Sequence, residues 1–199
     1  MREEASKQRD FFNSLAADWR KDHPVEKAVF DELFGQEELV GKSVLDVGCG
    51  TGVLSRYLSE RGATVDGIDL SDEMIRRAKN ETTRPGVRFF CADFYDFNGK
   101  YDCLFVFDAY PHFFDKRLFA VKARDLLVPG GRLYIAFDES REKIDGHHEK
   151  AAKGVSVGLR SPEEEALAYV GLLSVAFTRD DDKYLLTLTR EPSNSATTL

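Results

Sequence analysis

Several things are scarce in this 199-residue chain, and each scarcity narrows what it can be. No apolar run approaches the roughly 20 residues that a bilayer-crossing helix needs. The first twelve residues, MREEASKQRDFF, are charged throughout and hold no apolar signal core. No lysine- or arginine-rich block stands out, and the net charge is −7, which speaks against a protein held on nucleic acid by phosphate contacts. The chain has three cysteines, Cys49, Cys91 and Cys103. An odd count without a CxxC spacing points to reduced thiols and a cytoplasmic protein, with all three read as small core residues. No internal repeat and no linker-like stretch divides the chain.

What is present suits one domain with a real core. Hydrophobic residues make up 42% and charged residues 32%, the balance of a globular protein and not of a disordered one. Residues 3–20 predict a helix with Phe11, Phe12, Leu15 and Trp19 on one face, and 25–39 a second with Val29, Leu33 and Phe34 inward. Strands are expected at 43–47, 64–68, 87–91, 101–107 and 131–137. Helices are expected between them at 51–61, 71–81 and 115–127. Ser71 serves as an N-cap, and Gly62 as a helix stop. Beyond 140 come a polar helical stretch, a helix start at Ser161-Pro162-Glu163, and strands at 171–178 and 183–190. The last nine residues, EPSNSATTL, read as a loose tail.

Alternating strands and helices imply parallel pairing with right-handed crossovers, hence a doubly wound α/β sheet with helices on both faces. Ligands of such sheets bind beyond the carboxyl ends of the strands. Function is therefore read from the residues that follow each strand.

The first strand runs into VLDVGCGTG, residues 44–52. Gly48, Gly50 and Gly52 do not match the dinucleotide fingerprint, whose third glycine would fall on Val53, and no Gly-Lys-Ser/Thr follows. Asp46 places a carboxylate near the loop. At ~4–6 Å it would repel a pyrophosphate by roughly a kcal/mol or more, and it would attract an ammonium or a sulfonium. S-adenosylmethionine carries both cations and a carboxylate, so it fits. The second strand ends in Asp69, placed to accept from both hydroxyls of a ribose, with Ser71 left to cap the helix. The third is followed by Asp93, which can accept from an exocyclic amine, and by Phe94, which can lie against a purine.

These residues resemble the class I S-adenosylmethionine-dependent methyltransferases of small-molecule type, over roughly residues 40–138 and more loosely to 190. VLDVGCGTG is similar to that family's first motif, GIDLS (67–71) to its second, ADF (92–94) to its adenine site, and Leu127-Val128-Pro129-Gly130-Gly131 to the turn before its fifth strand. The resemblance implies a seven-stranded sheet of order 3-2-1-4-5-7-6 with the last strand antiparallel. It implies one domain over 1–190: a helical cover at 1–39, a cofactor core at 40–138, and a lid-like segment with a C-terminal hairpin at 139–190. It implies cofactor contacts from Asp46, Gly48, Cys49, Gly50, Asp69, Leu70, Met74, Asp93, Phe94 (through its backbone) and Phe107. FFNSLAADW (11–19) resembles a segment that covers the cofactor in small-molecule members; packing onto the sheet explains the same aromatics.

The acceptor side is less determined. The fourth strand ends in Phe107-Asp108-Ala109-Tyr110-Pro111-His112, without the (Asp/Asn)-Pro-Pro-(Tyr/Phe) pattern of enzymes that methylate exocyclic or amide nitrogens. Asp108, Tyr110 and His112 are expected on this side, with His112 and Asp108 as candidate catalytic groups; a polar residue opening a helix explains His112 equally. Asp138, Glu139, His147 and His148 are further candidates, His148 for substrate contact. Neither His147 nor His148 opens an HxxE or HxxxH spacing, so no metal is expected. The expected activity is direct in-line methyl transfer to a small molecule by a monomer or homodimer, with no nucleic acid and no membrane as partner. Two alternatives stay open: a non-catalytic module that binds S-adenosylmethionine or its demethylated product, and an NAD-dependent oxidoreductase.

Overall fold

The computed structural model describes residues 2–22, 24–151 and 154–192. The side chain of His148 and the tail from residue 193 lie outside them. Seven strands form one sheet: β1 (Ser43–Val47), β2 (Thr64–Asp69), β3 (Val87–Cys91), β4 (Tyr101–Phe107), β5 (Leu127–Phe137), β6 (Ser174–Asp180) and β7 (Tyr184–Thr189). Their order is β3-β2-β1-β4-β5-β7-β6, and β7 runs antiparallel to both of its neighbours. The doubly wound sheet is the one expected from the strand and helix alternation, and its order is the one that the family resemblance implies.

The central strands are apolar on both sides because both faces are covered. Along β4, Leu104 and Val106 point to one face, where α6 (Lys116–Leu126) adds Phe119 and Leu126. Cys103 and Phe105 point to the other, where α3 (Lys27–Phe34) and α4 (Val53–Glu60) add Phe30, Phe34, Leu54 and Tyr57. The Phe105 ring stacks on Tyr134 at 4.5 Å, and Phe34 meets it edge-on at 5.0 Å. The end of α3 is fastened by Arg61, whose guanidinium donates to the carbonyls of Phe34, Gly35 and Glu37 at 2.6–2.8 Å. Helix-end carbonyls that would otherwise lack donors are thereby satisfied.

Local chemistry sets most boundaries. Ser71 Oγ accepts from the Met74 amide and starts α5 (Asp72–Glu81). Asp115 Oδ1 accepts from the Leu118 amide and starts α6. Ser161 and Glu164 form a full capping box ahead of α8 (Pro162–Ala166).

Four expectations need correction. The N-terminal helix is only α1 (Arg2–Leu15), and Trp19 opens a separate short helix, α2 (Trp19–Asp22). Its indole meets the edge of Phe12 at 5.9 Å and reaches over Gly50, so tertiary packing overrides helix continuation. Strand β5 begins at Leu127, before the Pro129-Gly130 turn, because Gly130 and Gly131 pair with Arg190 across the sheet. The C-terminal hairpin strands start later than expected, at Ser174 and Tyr184. Cys91 is exposed and not a core residue, because β3 is the sheet edge; Cys49 and Cys103 are buried. None of the helices is long and apolar enough to cross a membrane, among the described residues.

The turn from β1 into α4 is the tightest point of the fold. Gly52 has φ +77, and a Cβ there would sit 2.6 Å from the Phe89 ring. Gly52→Ala is expected to destabilise the protein by about 2–4 kcal/mol, through left-handed strain plus a clash with a buried ring. A urea midpoint within error of the wild type would contradict this packing.

Candidate active site

A cavity of about 1550 Å³ opens at the carboxyl ends of β1, β2, β3, β4 and β5. All twelve residues singled out for cofactor contact or catalysis line it: Asp46, Gly48, Cys49, Gly50, Asp69, Leu70, Met74, Asp93, Phe94, Phe107, Asp108 and His112. They come from the ends of four strands and the first turns after them, so only the parallel sheet brings them together.

The glycine loop is held from beneath. The amides of Gly48 and Cys49 both donate to the Ile68 carbonyl at 2.9 Å. The Gly50 amide donates to Asp69 Oδ2 at 2.9 Å, and the Ser71 amide donates to Asp69 Oδ1 at 2.8 Å. Three loop amides are thus spent on the protein itself and are not a phosphate cradle. Gly48, at φ +72, lets the loop approach Ala109; a Cβ there would lie 2.7 Å from the Ala109 methyl.

Asp46 is more subtle than a fixed charge. Its side chain is buried, and Ser55 Oγ donates to its Oδ2 at 2.6 Å. Burial pushes its carboxyl up to about 7, and the negative charge of Asp69 adds to this, while the Ser55 bond opposes it. Burial thus weakens the full negative charge expected of Asp46 from the sequence. Burial also raises Asp69, against the pull of its three backbone hydrogen bonds. Burial, with the charges of Asp46 and Asp69, raises Cys49 well above its ordinary range and keeps the thiol neutral.

Asp93 lines the cleft with Oδ1 accepting from the Tyr95 amide at 2.9 Å. The Phe94 ring does not lie open for a purine. It is 3% exposed and stacks on Phe119 at 4.8 Å, because the aromatic core beneath the cleft takes it. Tyr110 is likewise withdrawn: it is fully buried, with its hydroxyl accepting from Tyr169 at 3.1 Å and donating to Glu165 at 3.4 Å.

At the far side of the cleft, Asp108 sits at the end of β4 with φ +52, a left-handed backbone at a non-glycine residue. Desolvation raises its carboxyl well above the usual range, and Asp138 and Glu139 across from it raise it further. His147 Nδ1 stands 3.4 Å from Glu139. His112 Nδ1 bonds the Val155 carbonyl at 2.9 Å, which requires a proton on Nδ1 and makes Nε2 the accepting nitrogen of the neutral ring.

Sequence reasoning missed the polar clamps of α1. Gln8, 6% exposed, donates to the carbonyls of His112 at 2.7 Å and Val155 at 3.0 Å. Asn13 accepts from Ser71 Oγ at 2.6 Å and donates to Asp72 at 2.9 Å. The helix therefore bridges the cleft, with Phe11 and Phe12 on its lining. The available signal was a polar residue on the apolar face: Gln8 lies one turn before Phe12. Thr51 was also passed over. Its hydroxyl lies in the cleft lining, buried and without a partner among the described residues.

Residues 44–131 match the family described as Methyltransferase domain. The chain is 31% identical over 137 residues to the ubiquinone biosynthesis O-methyltransferase of Coxiella burnetii (strain Dugway 5J108-111), covering 63% of this chain and 58% of that protein. It thus spans less than two thirds of that relative's length. Among solved structures, it is similar to the magnesium protoporphyrin IX methyltransferase of Synechocystis PCC 6803 with bound SAH: TM-score 0.73, 24% identity, 94% of this chain and 100% of that one. It is also similar to a Haloferax volcanii protein solved with the Trm112 methyltransferase activator: TM-score 0.74, 20% identity, 90% and 97% covered. These likenesses establish the fold.

The Asp46 environment yields a pH prediction. A carboxyl whose folded value is raised binds more protons in the native than in the unfolded chain, so its contribution to stability falls as pH rises from about 4 to about 7. Asp46→Asn keeps an acceptor for Ser55 and cannot ionise. The empty variant should therefore gain on the wild type across that window and melt several degrees higher at pH 8. Parallel melting curves for the two proteins from pH 4 to 8 would contradict the assignment.

Proposed function

We propose that this chain, whose residues 44–131 match the family described as Methyltransferase domain, binds S-adenosylmethionine and passes its methyl group to a small-molecule acceptor. The observation that carries the reading is the pairing of a spent glycine loop with three carboxylates at successive strand ends. Asp46, Asp69 and Asp93 all line one cavity, and the loop amides between them are already committed. A pyrophosphate would meet negative charge with few amides to receive it. A ligand with an ammonium, a sulfonium, a ribose and an aminopurine meets an acceptor for each. Methyltransferases with related sequence or fold, including the two named above, support the same reading.

In this reading Asp69 takes the ribose hydroxyls with the lone pairs that Gly50 and Ser71 leave over, and Asp93 takes the exocyclic amine. Asp46 ionises as the ammonium arrives and gains a charge-assisted contact. Leu70, Met74 and Phe107 supply apolar wall. The donor supplies an activated methyl; the chain aligns the acceptor with it and keeps water out. Helix α1, clamped by Gln8 and Asn13, serves as that cover. Where the acceptor must lose a proton, His112 Nε2 is the candidate base, with Asp108 lining the same cavity.

Calorimetry with S-adenosylhomocysteine tests the donor site. Asp69→Ala is expected to weaken binding by about 1.5–3 kcal/mol, the worth of hydrogen bonds to a charged group. Unchanged affinity would remove Asp69 from the ribose role. Stabilisation by NADH and none by S-adenosylhomocysteine would overturn the donor identity. Transfer of labelled methyl groups to phenols, carboxylic acids, thiols and amines tests the acceptor; no turnover across all four would favour a binding module over an enzyme.

A further inference from the structure

The cavity is larger than one cofactor requires, and its far lobe has a different chemistry from the donor end. It is walled by Phe113, Leu118 and Leu159, from the loop before α6, from α6 itself, and from the segment ahead of α8. Three cations line it, Lys116, Arg117 and the exposed Arg160. Lys116 Nζ makes one hydrogen bond, to the Tyr110 carbonyl at 2.7 Å, and lies 3.7 Å from the centroid of the Tyr110 ring. An ammonium has three donors, so two remain. Among the described residues neither Lys116 nor Arg160 has a carboxylate within 4.0 Å, although both line a cavity that also holds acids.

The acids of this lobe are already engaged. Asp115 caps α6 through the Leu118 amide. Glu164 closes the capping box on the Ser161 amide. Glu165, 3% exposed, accepts from the Arg160 amide at 3.1 Å and from the Tyr110 hydroxyl at 3.4 Å. The third cation nearby, Arg117, is spent on the carbonyls of Ala168 and Val170. Burial lowers Lys116 to about 8, Arg160 pushes the same way, and Glu165 opposes them, so the ammonium is charged at neutral pH but held at a cost. A half-buried cation with one hydrogen bond and one ring contact but no close carboxylate, on the wall of a lobe lined by apolar side chains, is a poor arrangement for an empty protein and a good one for an anion.

We propose that this lobe holds a carboxylate at the far end of the methyl acceptor, anchored by Lys116 and Arg160, with the acceptor's apolar body along Phe113, Leu118 and Leu159. The proposal rests on the methyl-transfer reading of the cleft and adds the chemical class of its substrate: an apolar, aromatic-sized carboxylic acid. The buried Tyr110–Tyr169–Glu165 network fixes the ring and carbonyl that position the Lys116 ammonium.

The test is a melting series with the probe pair 2-naphthoate and 2-naphthamide, run with and without S-adenosylhomocysteine. The wild-type protein is expected to bind the carboxylate about tenfold more tightly than the amide, as a charge-assisted pair should. Lys116→Met combined with Arg160→Ala is expected to abolish that preference. Lys116→Met alone, without any ligand, should melt as high as the wild type or higher, because it removes a poorly solvated charge; a purely structural lysine would lower it. Equal response of the wild type to the two probes, or a preference that survives the double substitution, would overturn the proposal. Both proteins should be stabilised equally by S-adenosylhomocysteine. If that ligand fails on the wild type, the donor reading falls, and the naphthoate comparison without it still decides the lobe.

Discussion

The Asp69 carboxylate joins the parts of the site. One oxygen receives the Gly50 amide from the β1 loop, and the other receives the Ser71 amide at the start of α5. With the Ile68 carbonyl beneath Gly48 and Cys49, this ties the ends of β1 and β2 into one floor. The cost is a carboxylate removed from water, close enough to Asp46 that its charge opposes the ionisation of Asp46. Such an arrangement is strained when empty and relaxed when a cation enters, the condition under which binding free energy is drawn from electrostatics already in place.

The cavity as a whole has two electrostatic ends. Carboxylates crowd the strand termini from Asp46 round to Asp108, Asp138 and Glu139. The opposite lobe offers Lys116 and Arg160 against aromatic and aliphatic walls. Helix α1 spans the cleft from the Asn13–Ser71 contact on the α5 side to the Gln8 bonds at His112 and Val155. Helix α1 is thus fastened by a polar clamp at each end of its cleft-facing side, and each of these hydrogen bonds is modest in net worth.

Much of the fold was legible because local chemistry and global packing agree. The run 43–47 is a strand in sequence pattern and in space, Ser71 and Asp115 cap the helices they precede, and Phe34 and Leu33 face the sheet as their spacing says. The donor end of the site was legible for a related reason: in a parallel sheet, residues just after the strands must meet at one edge. The misreadings share a cause. Phe94 and Tyr110 follow strands as well, yet their rings turn into the aromatic core around Phe119, and no one-dimensional pattern records which way a loop ring turns. Trp19 left the helix of Phe12 for a contact with the glycine loop, which is about thirty residues away in sequence.

The sequence by itself determined the alternation of strands and helices, the glycine loop, and the placement of Asp46, Asp69 and Asp93 in or just after strands, because these are local properties; the sheet order followed from the family resemblance. Only the tertiary structure decided how Asp46 and Asp69 are charged, since ionisation depends on the burial and neighbours that distant segments supply. It alone decided that Gln8 meets His112 and Val155, and that Lys116 and Arg160 share a lobe whose acids are already engaged. Those contacts join residues roughly 40 to 150 positions apart. Their chemistry exists only once the chain has closed around the cavity.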